Sequence, residues 1–513
     1  MWRVSRGSSP GRGLGPMDAY KVPGWLLREK LVQGELDVEE YVASIYERIE
    51  KLDRYLRAHI TIRPRKEVEA EVRQQVEEAR RDGGRPLAGL LVAVKDVIHV
   101  KGLPVTCGSK MLEKYIAVYD ATVVSKLREA GAVVLGKTNM DEFAMGSTGE
   151  TSAYGASRNP WSPDRVPGGS SSGTAVALAA GMATLGLGTD TGGSIRMPSA
   201  WTGLYGLKPT YGLVSRYGLV SYADSLEQIG PMSRNTRDLA LILEAIAGFD
   251  PRDSTSLPEK PKDYLKAAED GIRDGVNGLR VAVIKEFMEH PGVHESVKML
   301  VERAAKLLGD AGAMLGEISL GKEVLEYSLP AYYVIAMAEA SSNLARYDGV
   351  RYGPREPPKP WEGWNTYYSR IRATYFGLEV KMRIMLGSWM LSSGYRDQYY
   401  IRALKMRRIV RDRVLALLKE FDILLAPAVV APPPLLGEVV DDPEKMYALD
   451  LATVIANLSG VPAATAPAGI IEGIPIGVQL IARPLGEHTL LRALGALEAA
   501  SGLADLVAEP LPG

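Results

Sequence analysis

The sequence contains very few of the residues that build disulfide frameworks or histidine-rich metal centres. Its 513 residues include one cysteine, Cys107, which excludes an intrachain disulfide and every multi-cysteine metal or iron–sulfur site. Five histidines leave little material for a histidine-rich metal centre. A chain this poor in cysteine is typical of a reducing compartment, and we expect a cytoplasmic protein without a metal of its own.

An excess of charge of one sign is also absent. The 61 Lys and Arg residues nearly balance the 62 Asp and Glu residues, and the formal net charge is −1. No global field therefore draws the chain to nucleic acid or to a membrane surface. Two uncharged stretches, 166–189 and 451–471, are long enough to cross a bilayer, but their Gly, Ser and Pro content predicts buried segments of a globular protein.

Helix and strand patterns alternate along the chain, which predicts a layered α/β fold with a largely buried sheet. Hydrophobic residues make up 46% of the sequence and charged residues 24%, as in ordinary globular proteins. Apolar residues recur at helical spacing in four segments, 37–56, 65–82, 121–130 and 294–309. Dense apolar runs predict strands within 87–100, 132–136 and 279–284.

The chain is expected to form one domain, residues 17–513, with its core motifs between residues 87 and 240. Residues 1–16 contain three arginines, much Ser and Gly and no acid, which indicates a disordered extension or a mis-assigned start. Residues 326–420 are rich in Tyr, Met and Arg and have few strand signals. This segment predicts a helical insertion beside the sheet.

A glycine–serine segment, Gly168-Gly-Ser-Ser-Ser-Gly-Thr174, is the first candidate for chemistry. Residues 169–173 satisfy the G-x-S-x-G pattern of lipases, but that elbow requires a preceding strand. Three prolines in residues 158–167 exclude a central strand there, so we interpret the match as accidental. By itself the segment would be a loop that caps the alanine-rich helix expected at 174–182.

A second segment, Leu187 to Pro198, places two glycines before a serine: Thr189-Asp-Thr-Gly-Gly-Ser-Ile-Arg196. Flexible glycine backbone allows N–H groups to converge on one point, which suits an oxyanion. A phosphate-binding loop is the competing use, but the required G-x-x-x-x-G-K-[ST] pattern is absent from this segment. A plain β-turn stays open as the alternative.

Lys95 lies within the apolar run Leu91-Val-Ala-Val-Lys-Asp-Val-Ile98. Burial lowers the pKa of a lysine, and a neutral amine near pH 7 can act as a general base. The alternative is a lysine at a strand end that pairs with Asp96. Taken together, the two serine segments and Lys95 indicate a hydrolase with a Ser–Lys arrangement, in which no histidine is required.

These motifs resemble the amidase signature family. The spacing agrees as well, since 75 residues separate Lys95 from Ser170 and 24 separate Ser170 from Ser194. Within the family, the chain is most similar to the glutamine-hydrolysing A subunits of glutamyl-tRNA(Gln)/aspartyl-tRNA(Asn) amidotransferases. The subfamily resemblance is carried by residues 206–218, 224–231, 339–343, 379–387 and 391–395, and the likeness covers about residues 17–505.

The resemblance implies a fold and a set of catalytic roles. The implied fold is α/β, with a large mixed central sheet flanked by helices on both faces. Ser194 would be the acyl-ester nucleophile, Ser170 a bridging serine with unusual peptide geometry, and Lys95 the base. The implied oxyanion donors are the N–H groups of Thr191, Gly192, Gly193 and Ser194.

The resemblance also implies how glutamine would be selected and which partners would be present. Arg383 would bind the substrate carboxylate, Asp450 its ammonium, and Tyr332 would form the pocket wall. The family members work as a heterotrimer with a B subunit, which binds misacylated tRNA and uses ATP and magnesium, and a small C subunit. No cofactor is expected in this chain.

Three points stay open at this stage. A stand-alone amidase acting on small amides is the alternative function, and the sequence leaves undecided whether Glu-tRNA(Gln), Asp-tRNA(Asn) or both would be served. Ser172 and Trp201 depart from the residues usual in the family at these positions. The basic segment from Arg402 to Arg413 indicates either a solvated helix face or a contact with RNA.

Overall fold

A mixed sheet of eleven strands runs through residues 16–509, the part of the chain that the structure, a computed structural model, describes. The strands lie side by side in the order β1-β3-β2-β4-β6-β5-β10-β11-β9-β7-β8. They are β1 (His59–Ile62), β2 (Leu91–Lys95), β3 (Val133–Thr138), β4 (Leu185–Asp190), β5 (Tyr205–Lys208), β6 (Gln228–Ser233), β7 (Arg280–Ile284), β8 (Met314–Ile318), β9 (Ile423–Pro427), β10 (Ala463–Ile471) and β11 (Ile474–Ala482).

Seventeen α-helices accompany the sheet within the described residues. The first nine are α1 (Gly24–Gln33), α2 (Val38–Leu56), α3 (Arg65–Asp82), α4 (Thr122–Glu129), α5 (Ser172–Ala179), α6 (Arg196–Thr202), α7 (Thr236–Ile246), α8 (Tyr264–Asp274) and α9 (Lys285–Glu289). The others are α10 (Glu295–Asp310), α11 (Lys322–Asn343), α12 (Trp364–Tyr375), α13 (Leu378–Leu391), α14 (Tyr400–Glu420), α15 (Pro443–Ala448), α16 (Val454–Ser459) and α17 (Glu487–Ser501).

The predicted α/β class with a mixed sheet is confirmed. Strand β2 pairs in parallel with β3 and β4, whereas β4 and β5 pair antiparallel with β6. β3 is longer than the predicted strand at 132–136, because Lys137 and Thr138 continue the parallel pairing opposite Val94 and Lys95. The run 87–100 forms a strand over Leu91–Lys95, and turns flank it on both sides.

The alanine-rich helix expected at 174–182 is α5, which starts at Ser172 and ends at Ala179. Gly181 follows with a φ of +69°, a left-handed conformation that cannot continue the helix. Residues 322–420, which contain the segment predicted as an insertion, hold α11 to α14. The predicted extension lies outside the described residues except for Pro16.

None of the helices between residues 16 and 509 is long and apolar enough to cross a membrane. The uncharged stretch 166–189 forms a loop, α5 and most of β4, and the stretch 451–471 forms α16 and β10. Both are buried over most of their length, as predicted.

Strands β2 and β4 end at the same edge of the sheet and lead into the candidate site. β2 ends at Lys95 and its parallel neighbour β4 ends at Asp190. Because the carboxyl ends of adjacent parallel strands lie at one edge of a sheet, Lys95 and the loop that follows Asp190 meet there.

Candidate active site

The Lys95 side chain is fully buried and lies between two hydroxyl groups. Its Nζ donates to Ser170 Oγ at 2.7 Å and to Thr189 Oγ1 at 2.8 Å. Burial lowers the pKa of Lys95 to about 7, against the opposing pull of the Asp141 and Asp190 carboxylates. A substantial fraction of the amine is therefore neutral at physiological pH.

The alternative pairing of Lys95 with Asp96 does not occur. Asp96 instead accepts from Lys137 Nζ at 3.0 Å through Oδ1, and from the Thr106 backbone N–H at 2.8 Å through Oδ2. Lys137 and Asp96 form a fully buried ion pair. Lys137 thus balances the charge of Asp96, and Lys95 contacts Ser170 instead.

Ser170 and Ser194 lie on adjoining loops. Ser170 is fully buried, two residues before the start of α5, and the Gly169–Ser170 peptide bond is cis. The next residue, Ser171, donates its N–H to the carbonyl of Ser194 at 3.2 Å, which joins the two loops. Ser194 is 7% exposed, whereas Lys95 and Ser170 are sealed from solvent. Ser194 is therefore the member of the three that a substrate can reach.

A buried ion pair shapes the loop that carries Ser194. Asp190 accepts from Arg196 Nη2 at 2.9 Å, from Arg196 Nε at 3.0 Å and from the Gly193 and Ile195 backbone N–H groups. Burial would raise the pKa of Asp190, but Arg196 and Asn457 outweigh it and hold the pKa at about 2. The Asp190–Arg196 ion pair, which stays charged at neutral pH, therefore holds the loop in place.

The Asp190 contact bears on the predicted oxyanion donors. Gly193 N–H points to Asp190 Oδ1 at 3.0 Å and is already engaged. A side chain at Gly192 would collide with the Tyr332 ring at 2.4 Å, and one at Gly193 with Thr453 Oγ1 at 2.4 Å. The two glycines therefore allow Tyr332 and Thr453 to approach the backbone beside Ser194.

Arg383 projects inward from α13 and is almost fully buried. Its Nε donates to Glu379 Oε1 at 2.6 Å, and its Nη1 donates to Tyr222 Oη at 2.7 Å. Within residues 16–509 no group accepts from its Nη2, although that atom is buried too. A buried guanidinium nitrogen without an acceptor indicates a place for an anionic ligand.

Asp450 supplies a carboxylate close to Arg383. Tyr333 Oη donates to Asp450 Oδ2 at 2.6 Å, and the Tyr333 ring centre lies 5.4 Å from Arg383 Cζ. Ser147 Oγ donates to the other oxygen, Oδ1, at 2.8 Å. Burial raises the pKa of Asp450 to about 6, so the carboxylate is ionised at neutral pH.

The residues predicted to select the substrate are joined directly to the loop that carries Ser194. Thr453 donates its N–H to the carbonyl of Asp450 at 3.0 Å, and its hydroxyl donates to the carbonyl of Gly192. Tyr332 packs against Gly192 as well. The structure therefore gathers the three residues predicted to select the substrate, Tyr332, Arg383 and Asp450, beside the loop that carries Ser194.

Ser147 connects Asp450 with the segment that precedes Ser170. Its hydroxyl donates to Asp450, and its carbonyl accepts from the N–H of Gly169 at 2.9 Å, immediately before Ser170. The same loop contains Asp141, whose N–H donates to the carbonyl of Ser170 at 3.4 Å. One loop, residues 141–151, thus contacts both the Asp450 carboxylate and Ser170.

Five residues of this environment escaped the sequence analysis: Ser147, Tyr222, Tyr333, Glu379 and Thr453. They are scattered over more than 300 positions, and no short motif joins them. One usable signal was the Glu379–Arg383 spacing of four residues, which puts opposite charges on one helix face. The tyrosines come together through tertiary packing alone.

The other residues singled out from the sequence take no part in the contacts described above. Ser172 Oγ is buried without a hydrogen-bond partner among the described residues, and Trp201 Nε1 donates to the Ala431 carbonyl at 2.9 Å. In the basic segment, Arg407 and Arg413 donate to backbone carbonyls of this chain. No cluster of three or more His, Cys, Asp or Glu within residues 16–509 is arranged to hold a metal ion.

A buried lysine that contacts one serine beside a loop that presents a second serine suits amide hydrolysis without a histidine. The family model described as Amidase matches residues 40–491, and the chain belongs to this family. It is 50% identical over 483 residues to the A subunit of glutamyl-tRNA(Gln) amidotransferase from Sulfurisphaera tokodaii, covering 94% of this chain and 98% of the relative.

Two solved structures extend the comparison. The A subunit of glutamyl-tRNA(Gln) amidotransferase from Thermotoga maritima is 38% identical, with a TM-score of 0.74 and coverage of 96% of both chains. Peptide amidase of Stenotrophomonas maltophilia is 31% identical, with a TM-score of 0.77 and coverage of 96% of this chain and 99% of that chain. The fold is thus shared by one chain of an amidotransferase and by a peptide amidase.

Proposed function

We propose that this chain is the glutamine-hydrolysing subunit of a tRNA-dependent amidotransferase, a carbon–nitrogen ligase in which it acts as the glutaminase. One observation carries the choice of substrate: the buried Arg383 Nη2 has no acceptor among the described residues and lies near the Asp450 carboxylate. Glutamine has a carboxylate and an ammonium on one carbon. A cation and an anion set close together match that end of the molecule.

In the proposed complex, the substrate carboxylate binds Arg383 and its ammonium binds Asp450. Tyr332 forms the wall between these groups and Gly192, so the carboxamide extends toward Ser194. Tyr222 and Glu379 hold two of the guanidinium nitrogens and leave the third for the substrate. The pocket therefore recognises the charged end of glutamine, and the carboxamide at the other end reacts with Ser194.

The proposed chemistry is a proton relay that ends on Lys95. Neutral Lys95 takes the proton of Ser170, and Ser170 takes the proton of Ser194 as Ser194 Oγ attacks the carboxamide carbon. When the tetrahedral intermediate collapses, the carbon–nitrogen bond breaks and the relay returns the proton to the leaving nitrogen. Ammonia leaves and a glutamyl ester remains on Ser194. Water then attacks the ester and releases glutamate.

We assign the oxyanion to the backbone N–H groups of Thr191, Gly192 and Ser194. Gly193 belonged to the predicted set, but its N–H is engaged by Asp190, which fixes the loop instead. Each donor aimed at the developing charge contributes about 3 kcal/mol to the stability of the transition state, by analogy with measured oxyanion donors. The Asp190–Arg196 pair holds these donors in place before the substrate arrives.

The ammonia would be consumed by companion subunits. In the proposed heterotrimer, a B subunit binds the misacylated tRNA and activates its side-chain carboxylate with ATP and magnesium, and a small C subunit completes the assembly. The products would be Gln-tRNA(Gln) from Glu-tRNA(Gln), Asn-tRNA(Asn) from Asp-tRNA(Asn), or both. We propose a cytoplasmic location, where these tRNAs are charged.

A stand-alone amidase is the second candidate. The fold similarity to the Stenotrophomonas maltophilia peptide amidase favours it, because that enzyme shares the whole architecture at a TM-score of 0.77. A stand-alone amidase acting on small neutral amides would make no use of Arg383 and Asp450. The two candidates therefore differ in what happens when these charges are removed.

The first prediction tests this difference with Arg383→Ala and Asp450→Asn. Loss of a charged partner in a desolvated pocket leaves the substrate charge unpaired, which costs about 2–4 kcal/mol. We expect kcat/KM for glutamine to fall about 30- to 1000-fold. The kcat/KM for butyramide, a neutral amide, should change less than about threefold, because it never contacts either group.

Butyramide is also the control for folding. Equal losses on both substrates would indicate a damaged protein, and unchanged glutamine hydrolysis would favour the stand-alone amidase.

A companion experiment is co-expression with the candidate B and C subunits. Glutamine-dependent amidation of Glu-tRNA(Gln) and Asp-tRNA(Asn), assayed separately, then identifies the tRNA that is served.

A further inference from the structure

Helix α13 (Leu378–Leu391) has an apolar face that is open to solvent. Its inner face buries Glu379, Val380, Arg383 and Gly387. On the outer face, Leu378 is 77% exposed, Met385 71% and Trp389 41%, and Met382 between them is partly exposed. The four outer residues follow the spacing i, i+4, i+7 and i+11, so they form one continuous stripe along the helix.

The stripe continues beyond the end of α13 through an aromatic cluster. Exposed Trp389 lies with its ring centre 4.8 Å from that of Tyr395 and 4.8 Å from that of Tyr399, and both tyrosines are themselves exposed. Large aromatic residues and methionine are enriched in the centres of protein–protein interfaces. An exposed apolar patch of this size on a folded domain indicates a binding surface.

Basic residues flank the aromatic end of the stripe. Exposed Arg402 and Lys405 follow Tyr399 at helical spacing on α14, so they extend the same face. Over residues 392–411 there are six basic residues and one acidic residue. The partner that covers this face is expected to bring apolar side chains for the stripe and carboxylates for its basic end.

We propose that the outer stripe (Leu378, Met382, Met385, Trp389, Tyr395 and Tyr399) is the docking site for an amphipathic, acidic segment of a companion subunit. The proposal rests on the proposed function, in which such a subunit exists. The amidotransferase relatives described above are themselves named as one chain of an assembly.

Two other occupants fit this surface less well. A second copy of this chain would bring the same stripe, whose residues offer no carboxylate to Arg402 and Lys405. RNA would suit the basic residues and the aromatic rings, but Leu378 and Met385 extend the stripe with aliphatic side chains that offer nothing to a phosphate backbone. A protein segment satisfies both ends.

Because the stripe lies on the helix that carries Arg383, docking of a companion chain there would affect glutamine binding. Met385 follows Arg383 by two residues, about 200° around the helix, and therefore lies on the opposite side of α13. A companion chain that covers the outer face would restrict rotation and displacement of the helix that holds the guanidinium. We therefore expect KM for glutamine to fall severalfold on assembly, whereas KM for butyramide should stay unchanged.

The test compares Met385→Glu with Met299→Glu. Met299 is a matched control, because it is a similarly solvent-open methionine, 60% exposed, on the distant helix α10. The affinity of each purified variant for the companion B and C subunits is measured by calorimetry. We expect Met385→Glu to weaken binding at least about tenfold and Met299→Glu to change it less than about twofold. Arg402→Glu should also weaken binding and reduce its dependence on salt.

Butyramide hydrolysis by the isolated variants should equal that of the wild type, which establishes that they are folded. If Met385→Glu binds the companions as the wild type does, the stripe is not their docking site. If the isolated wild type instead forms a dimer or binds uncharged tRNA, and Met385→Glu loses that dimer or that tRNA binding, the occupant is a second copy or RNA and the inference fails. If the wild-type chain binds no companion at all, the proposed function fails with it.

Discussion

Two buried ionisable residues set the pH response expected of the site. Lys95 must be neutral to accept a proton, and its pKa is lowered to about 7 by burial. Asp450 must be ionised to bind an ammonium, and its pKa is raised to about 6, also by burial. Activity is therefore lost on the acid side for two separate reasons, and only one of them concerns glutamine recognition.

This separation gives a prediction for the pH dependence of kcat/KM. For butyramide, kcat/KM should fall about tenfold per pH unit below about 7, because only the protonation of Lys95 matters. For glutamine, a second decline should begin below about 6 as Asp450 becomes protonated. The ratio of the two values should therefore be constant above about pH 7 and about tenfold lower at about pH 5.

The Asp450→Asn variant provides the control for this profile. It cannot titrate, so the ratio of glutamine to butyramide hydrolysis should be low and independent of pH. A ratio that still changes near pH 6 in this variant would assign the titration to another group.

At the scale of elements, the loop 141–151 matters most, because it contacts both the Asp450 carboxylate and the segment that contains Ser170. Ser147 donates to Asp450 through its side chain and accepts from Gly169 through its backbone. The loop includes Phe143 and Ala144, both with positive φ angles of 49° and 61°. A non-glycine residue adopts this conformation at some cost, which indicates that surrounding contacts hold the loop in place.

The Ser147→Ala variant tests this element. It keeps the backbone bond to Gly169 and removes one hydrogen bond from Asp450, which costs about 1–3 kcal/mol. We expect kcat/KM for glutamine to fall about 5- to 100-fold. The hydroxyl also lowers the Asp450 pKa, so the acid break in the substrate ratio should move to higher pH.

Ser342→Ala is a suitable comparison, because the Ser342 hydroxyl contacts the Ala338 carbonyl within α11. It should leave both the rate and the pH break unchanged. An unaltered pH break in Ser147→Ala would contradict the hydrogen bond to Asp450.

Elements and motifs were predictable to different degrees. The strand that ends at Lys95 follows from its apolar run, whereas strand β4 and its parallel pairing with β2 were not predicted from the sequence. The cluster of Tyr222, Tyr333 and Tyr447 around Arg383 was not predictable, because it depends on long-range packing. The engagement of Gly193 by Asp190 is a local contact between residues three apart, but the sequence does not show that this N–H faces the carboxylate instead of the substrate.

At the scale of the whole molecule, hydrolysis and use of ammonia occur on different subunits in the proposed assembly. Ser194→Ala should abolish glutamine-dependent amidation in the complex, because no acyl ester can form. Amidation driven by added ammonium salts should remain within about twofold of the wild type, since the companion chain that uses ammonia is intact. Product tRNA formation with glutamine and with ammonium chloride is the measurement. Loss of both activities would indicate a disrupted assembly, and survival of the glutamine-driven reaction would exclude Ser194 as the nucleophile.

Two groups of residues lie far apart along the chain: Lys95, Ser170 and Ser194 come early, and Arg383 and Asp450 come late. This separation has a consequence for how such a protein can diversify. The proposed reactive groups lie between residues 95 and 194, whereas the charges proposed to bind the substrate come from α13 and the segment before α16. Mutation in the later segments can therefore change which amide is accepted and leave the bond-breaking apparatus intact. An engineer would begin at Arg383, Glu379 and Tyr447, and would leave the paired strands β2 and β4 untouched.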